Sequence, residues 1–202
     1  MKHALILAHP ARKSLNAAIA AAYEEEARRL GHEVVVRDLY AMHFDPCLKA
    51  DEIPGRKAPK FHDDVRRERE MLADADVFAL VYPFWFNAPP AILKGYVDRV
   101  FGMGFGFNPG AGGNAPALVG RRLISFSTSG APDHWVRDTG ALNDLTRLFD
   151  RHLAGTCGLV VEDHVHFGGI VSDLTDVAAG EILGRVKTVT NAHFRAHPPT
   201  AS

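Results

Sequence analysis

The sequence predicts an open, doubly wound α/β fold built on a parallel sheet. Three observations carry that reading: short apolar runs that stop at turn residues, helical apolar spacing between those runs, and no internal repeat along 202 residues. A chain of this length supports a single core, so one domain spanning residues 1–202 is expected.

Each element has its own signal. Ala4 to Ala8 is an apolar run closed by His9-Pro10, as in a strand buried on both faces. Ser14 stands as a capping residue before Leu15, Ala18, Ile19, Ala22 and Ala27, and Gly31 ends that helical pattern after Arg28-Arg29. Glu33 to Arg37 forms a second strand, followed by a loop from Asp38 through Pro46. Residues 49 to 60, with Pro54, Gly55 and Pro59 among charges, form an irregular surface excursion. His62 to Leu72 is an exposed helix touching the core through Val65 and Leu72, and Val77 to Tyr82 is a third strand ending at Pro83. Pro90 takes the first position of a helix carrying Ile92, Leu93, Tyr96, Val97 and Val100. Gly102 to Gly113 is dense in Gly, Pro and Asn and reads as loop. Leu123 to Phe126 is the fourth strand, Ser127 to Pro132 a turn, and Leu142 to Leu153 a helix closed by Gly155. Gly158 to Val165 is the fifth strand, and a last helix runs from Ser172 to Phe194. Right-handed crossovers favour the strand order 2-1-3-4-5, with ligands at the carboxyl ends of the strands.

Composition narrows the function. With 47% apolar and 23% charged residues and a net charge of −1, no basic nucleic-acid-binding surface is expected. Cys47 and Cys157 stand far apart, so neither a disulfide framework nor a zinc site is suggested, and the 11 histidines are scattered rather than set at ligand spacing. No metal is expected. The first strand is too short for a signal segment and no stretch reaches membrane-span length, so a soluble cytoplasmic protein without membrane insertion is the expectation.

Three loops carry the chemistry. The first, His9 to Asn16, joins a buried strand to a helix. The unpaired N–H groups of a helix start, with donors from His9, Ser14 and Asn16, suit a phosphate, although Ser14 also serves as a plain cap. No G-x-G-x-x-G follows the strand, and the glycines at 102, 104 and 106 are not directly downstream of one, so a dinucleotide fingerprint is absent. The second loop, Tyr82 to Pro90, is aromatic at Phe84, Trp85 and Phe86 where a surface loop is usually polar; a flat ring system, or alternatively an oligomer contact, would use it. The third, Ser127-Thr128-Ser129-Gly130, offers hydroxyls and a permissive glycine, which also suit an ordinary turn.

In combination these stretches resemble the NAD(P)H quinone oxidoreductases of the flavodoxin-like superfamily. The resemblance spans nearly the whole chain and rests on Ala8-His9-Pro10 with Ser14-Leu15-Asn16, on Asp38 to Pro46, on Pro83 to Gly95, and on Ser127 to Gly130, which is similar to that family's flavin loop. It implies a flavodoxin-like sandwich, a flavin (FAD, with FMN as the alternative) and NAD(P)H as co-substrate. It further implies that His9, Ser14, Leu15 and Asn16 hold the flavin phosphates, that Pro83, Phe84, Trp85 and Phe86 line the ring, and that Ser127, Thr128 and Gly130 close its other edge. Trp135 falls where relatives carry a tyrosine beside nicotinamide and quinone. Ala141 falls where they carry a histidine assigned to proton transfer, so that role does not carry over; His134, His164 and His166 stand near and read as surface or loop histidines.

The implied activity is two-electron reduction of a quinone by a ping-pong scheme in which the flavin supplies the redox chemistry. The alternatives are a flavin-binding regulatory subunit of a membrane transporter and an FMN-dependent azo- or nitroreductase. A two-fold homodimer is also expected, because the aromatic loop at Phe84 to Phe86 and the phenylalanines Phe101, Phe105 and Phe107 would otherwise leave a large apolar surface in water.

Overall fold

The computed structural model describes residues 1–53, 59–110 and 112–195. Five parallel strands form one sheet: β1 (Lys2–Leu7), β2 (Glu33–Asp38), β3 (Val77–Pro83), β6 (Arg122–Thr128) and β7 (Val160–Phe167), in the order β2-β1-β3-β6-β7. The apolar runs are continuous because both faces are covered. On one face Leu5, Leu7, Val77, Ala79, Val81, Ile124 and Phe126 pack against Ile19, Tyr23 and Ala27 of α1 (Leu15–Arg29) and Val186 and Phe194 of α7 (Asp176–Phe194). On the other, Ala4, Ile6, Phe78, Leu80 and Tyr82 meet Leu72 of α2 (Asp63–Leu72), Leu93, Tyr96 and Val100 of α3 (Ala91–Val100), and Leu145, Phe149 and Leu153. Alternate residues of each strand thus feed two cores.

Caps set the helix ends. Ser14 Oγ accepts the Ala17 N–H at 3.2 Å, and Gly31, at φ +82°, lets the chain leave α1 in the left-handed region. Gly95 allows α3 to press onto the loop after β2, where a Cβ would stand 2.2 Å from the Pro46 carbonyl oxygen.

Several expectations need correction. Pro90 caps α3 rather than opening it. The stretch read wholly as loop contains an antiparallel hairpin, β4 (Phe107–Gly110) with β5 (Gly113–Pro116), so the expected strand numbers 4 and 5 fall to β6 and β7. The helix expected over 142–153 is three pieces: α5 (Ala141–Leu145), a π-helical turn at Thr146–Asp150 and α6 (Arg151–Cys157). Gly155 lies inside α6, and Gly158, at φ +81°, ends it. A short helix, α4 (Asp133–Asp138), follows the third loop, and the last helix begins at Asp176 with Thr175 as its cap. Phe101 and Phe105 are buried in the core and Phe107 is half-buried, so they do not form the exposed patch from which a dimer was expected. Of the excursion at 49–60, residues 54–58 lie outside the described residues.

One irregularity sets the direction of two histidines. β7 pairs Val161 with Leu123 but Asp163 with Ile124, so Glu162 is an extra residue in the edge strand. Beyond this bulge His164 and His166 stand beside Ser125 and Ser127, on the face of Leu123 rather than that of Ile124 and Phe126. Among the described residues no helix is long and apolar enough to cross a membrane, and no group of three or more metal-ligating side chains occurs.

Candidate active site at the carboxyl end of the sheet

The three loops meet where β1, β3 and β6 end. Ala8 N–H donates to the Val81 carbonyl at 2.9 Å, and Phe84 N–H to the Thr128 carbonyl at 2.6 Å, which fixes the second loop to the first and third. Asn16 Nδ2 donates to Thr128 Oγ1 at 2.9 Å, tying the start of α1 to the end of β6. The His9 ring lies 6.0 Å from that of Trp85, bringing the first loop against the aromatic one.

The first loop keeps the features of an anion cradle. The first helical bond of α1 runs from Ala18 N–H to the Ser14 carbonyl, and Ser14 Oγ takes Ala17 N–H, so the N–H groups of Leu15 and Asn16 precede the helical ladder. A cleft of about 530 Å³ beside them runs between this loop, at Arg12 to Leu15, and Leu174 and Ala179 near the start of α7, with Ala17 and Ala18 on its floor. Asn16 is buried, and its Oδ1 has no hydrogen-bond partner.

The second loop is strained and bare. Phe86 and Asn87 hold φ of +48° and +55°, left-handed values that Asn tolerates and a bulky Phe does not, and Trp85 N–H bonds the Ala88 carbonyl at 3.1 Å to close the turn. Phe86 is fully exposed and Trp85 is 46% exposed, while Pro83 and Phe84 are buried beneath them. Trp135, on α4, is 48% exposed. The start of α4 abuts the end of β7, where a Cβ on Gly168 would stand 2.3 Å from the Asp133 nitrogen, so Trp135 shares this end of the sheet.

The third loop differs from the expectation in a specific way. The Ser127 side chain is fully buried, its hydroxyl 2.7 Å from His164 Nε2 and 2.8 Å from His166 Nδ1, and the Thr128 hydroxyl is taken by Asn16. Both hydroxyls have partners inside the protein. Gly130 is exposed, and a Cβ there would have no neighbour nearer than Ile170 O at 3.7 Å, leaving its surface open.

His164 and His166, read from sequence as surface or loop residues, are strand residues with buried rings. They belong to a chain of contacts that sequence reading missed: Ser125 Oγ to Asp150 Oδ1 at 2.7 Å, Asp150 Oδ2 to His164 Nδ1 at 2.5 Å, then Ser127, then His166, whose Nε2 is 3.0 Å from Ser129 Oγ. Burial, with the neighbouring His164 second, pushes the His166 pKa down to about 4. Burial and the facing Asp150 raise that of Tyr82 well above its ordinary value. The clue was present as paired alternation, Ser125-Phe126-Ser127 against His164-Val165-His166, polar residues two apart on either side of one apolar residue in each strand.

A groove of about 400 Å³ between α3 and α6 is lined by Leu48, Ile53, Val97, Phe101 and Leu153, and none of the site residues expected from sequence borders it.

The profile of the flavodoxin-like fold family matches residues 1–185. An uncharacterized NAD(P)H oxidoreductase of Haemophilus influenzae is 33% identical over 171 residues, 84% of this chain and 85% of that protein. Among solved structures, the NAD(P)H:quinone oxidoreductase of Methanothermobacter marburgensis superposes with a TM-score of 0.79 at 25% identity, covering 98% of each chain. An FMN-dependent NADH-azoreductase of Bacillus anthracis, solved with FMN bound, has the same fold, with a TM-score of 0.69 at 19% identity over 96% of this chain and 98% of that one.

Proposed function

The chain belongs to the NAD(P)H quinone oxidoreductase family of the flavodoxin-like fold, and from that premise we propose that it is a flavoenzyme that takes a hydride from NAD(P)H and reduces a quinone by two electrons. The observation that carries this reading is the convergence, at one end of the sheet, of a helix start with free N–H groups and the strained, exposed Trp85-Phe86-Asn87 turn. An anionic tail and a flat aromatic body are what those two features suit.

The donor set fits a flavin. The N–H groups of Leu15 and Asn16, with Ser14, His9 and the cationic Arg12 and Lys13, would hold the phosphates. Pro83, Phe84, Trp85 and Phe86 would flank the ring, and the backbone of Ser127 to Gly130 would face its polar edge. The flavin, when bound, supplies the two-electron chemistry. The chain's own part is to position and to exclude water: Phe86 and Trp135 offer apolar faces between which a nicotinamide and then a quinone are held in turn, and this single slot is the basis of the ping-pong scheme.

We take the flavin to be FAD, on the family-like Asp38 to Pro46 stretch, and the active species to be a homodimer in which a second copy covers Trp85, Phe86 and Trp135. Mass spectrometry of the cofactor released on denaturation tests the core of the reading. FAD is expected; FMN alone would overturn the choice of flavin, and a chain purified without any flavin would overturn the function. FMN is the second reading because the azoreductase neighbour binds it. Light scattering on the eluting protein gives the oligomeric mass, and a monomer with full quinone reductase activity would refute the shared site.

A further inference from the structure

We propose that Asp150, His164, Ser127, His166 and Ser129 form a buried one-proton relay that ends at the third loop and supplies the proton a quinone needs in addition to the hydride. This rests on the redox reading above.

The polarity of the chain follows by elimination from one end. The Ala131 carbonyl can only accept, so the Ser129 O–H donates to it, at 2.9 Å. Ser129 Oγ then accepts from His166 Nε2–H. His166 is neutral at physiological pH, so its Nδ1 bears a lone pair and accepts the Ser127 O–H. Ser127 Oγ, its hydrogen committed, accepts from His164 Nε2–H. One further proton lies between His164 Nδ1 and Asp150 Oδ2, which are 2.5 Å apart, and Ser125 Oγ donates to the other carboxylate oxygen. From His164 to Ser129 every donor points towards the loop, and the spare proton sits at the inner end.

Such a chain can pass one proton without moving a heavy atom. His164 Nε2–H goes to Ser127 Oγ, the Ser127 hydrogen to His166 Nδ1, His166 Nε2–H to Ser129 Oγ, and the Ser129 hydrogen turns from the Ala131 carbonyl and passes to the acceptor. All the inner hydrogen bonds survive with reversed polarity, leaving neutral His164 protonated on Nδ1 beside the Asp150 carboxylate. The sum balances: NAD(P)H gives a hydride, which carries both electrons; the relay gives a proton; the quinone becomes a hydroquinone; and water returns the proton through Ser129 when the slot is empty.

The surroundings support outward delivery. His166 faces Asp133 and Arg137 of α4, His164 of its own strand and the Phe84 ring 5.9 Å away, so its far edge lies beneath the aromatic loop. His164 faces Tyr82 of β3, whose ring is 6.2 Å away, besides Asp150, and its backbone N–H donates to the Asp163 carboxylate at 2.7 Å. The π-helical turn after α5 ends at Asp150 and brings that carboxylate onto the sheet, a placement a regular helix would shift. The relay sits on different elements from Ala141, where the family resemblance places a histidine.

Nitrogen-resolved NMR of the isolated protein and transient kinetics of the loaded one test this together. Expected at neutral pH are Nε2–H on both His164 and His166, and a far-downfield proton for the His164–Asp150 contact. Ser127→Ala, which severs the chain, and Asp150→Asn, which keeps its shape, should each slow quinone reduction on the order of 10²-fold and abolish its solvent isotope effect. His166 protonated on Nδ1, or both variants reducing quinone at the parental rate with the parental isotope effect, would overturn the relay. If neither variant folds, the parental NMR decides. A protein with the expected histidine states but no NAD(P)H oxidation would overturn the redox reading and with it the relay's task, while leaving the proton chain itself established.

Discussion

Asn16 at the start of α1 donates to the hydroxyl of Thr128 at the end of β6, a 2.9 Å bond between residues 112 apart in sequence and both buried. It holds the phosphate-ready helix start to the loop facing the other side of the site. A double-mutant cycle of Asn16→Ala and Thr128→Val should show a coupling of about 1 kcal/mol in stability, the ordinary worth of one buried hydrogen bond. Flavin content should fall in both single variants. Additive effects in chemical denaturation would mean that the bond does not hold the loops together.

If Trp135 lies beside the acceptor as proposed, Trp135→Ala should weaken quinone turnover more than flavin retention, since an exposed aromatic there would contribute stacking of roughly 0.5–1.5 kcal/mol beyond its area. Steady-state kinetics normalised to bound flavin separate the two effects. A variant that loses flavin yet keeps its turnover per flavin would assign Trp135 to the cofactor shell instead.

Two glycines of the same type in the same kind of element should respond with opposite signs. Gly95→Ala drives a methyl into the Pro46 backbone and should cost about 1–3 kcal/mol, lowering Tm by several degrees. Gly184→Ala, inside α7 with nothing within 4 Å of the new methyl, should gain up to about 1 kcal/mol. Thermal melts of both variants check this, and equal shifts would count against close packing of α3 on the loop at Pro46.

Stability should fall on mild acidification. His3 is buried with Nδ1 2.6 Å from the Tyr23 hydroxyl, and burial first, then His32, pushes its pKa from 6.5 down to about 3; His166 is pushed to about 4. The unfolded chain therefore binds more protons between pH 6.5 and about 3 to 4, so this contribution is complete above pH 6.5 and is lost as pH falls. Carboxylates such as Glu26, held near 2 by Arg29, lose theirs only below the ordinary value of 4.5, so pH 4.5 to 6.5 isolates the histidines. Denaturant midpoints across that window should decline, and less steeply in His3→Gln. A flat profile would show that His3 is not held neutral.

What the sequence disclosed was whatever local chemistry determines. Ser14 followed by helical spacing marks a cap and a helix start whatever lies around it, and the apolar runs at Ala4 and Val77 demand burial on both sides, so the sheet and the three loops at its end were legible. The hairpin at Phe107 to Pro116 was not, because its Gly- and Pro-rich strands have no apolar alternation and take their form from each other. The inward turn of the Ser127 hydroxyl and the π-helical turn that brings Asp150 to Ser125 depend on register between distant segments, which no local pattern encodes. Exposure was misjudged for Phe101 and Phe105 for the same reason: the backbone of Gly106 passes so close to Phe101 that a Cβ would lie 2.1 Å from its oxygen, folding that loop inward.

The extra residue at Glu162 acts as a frame shift written in geometry. Because strand side chains alternate with period two, pairing Glu162 in the ladder with Ile124 would slip everything after it by one, setting Asp163 and Val165 beside Ser125 and Ser127 and turning both imidazoles towards α1 and α7; the bulge takes Glu162 up and prevents that slip. An edge strand, bonded on one side only, is where such a slip meets least resistance. The histidine pair therefore stands beside Ser125 and Ser127 because the ladder takes up one residue out of step, with the sheet and its order left as they are.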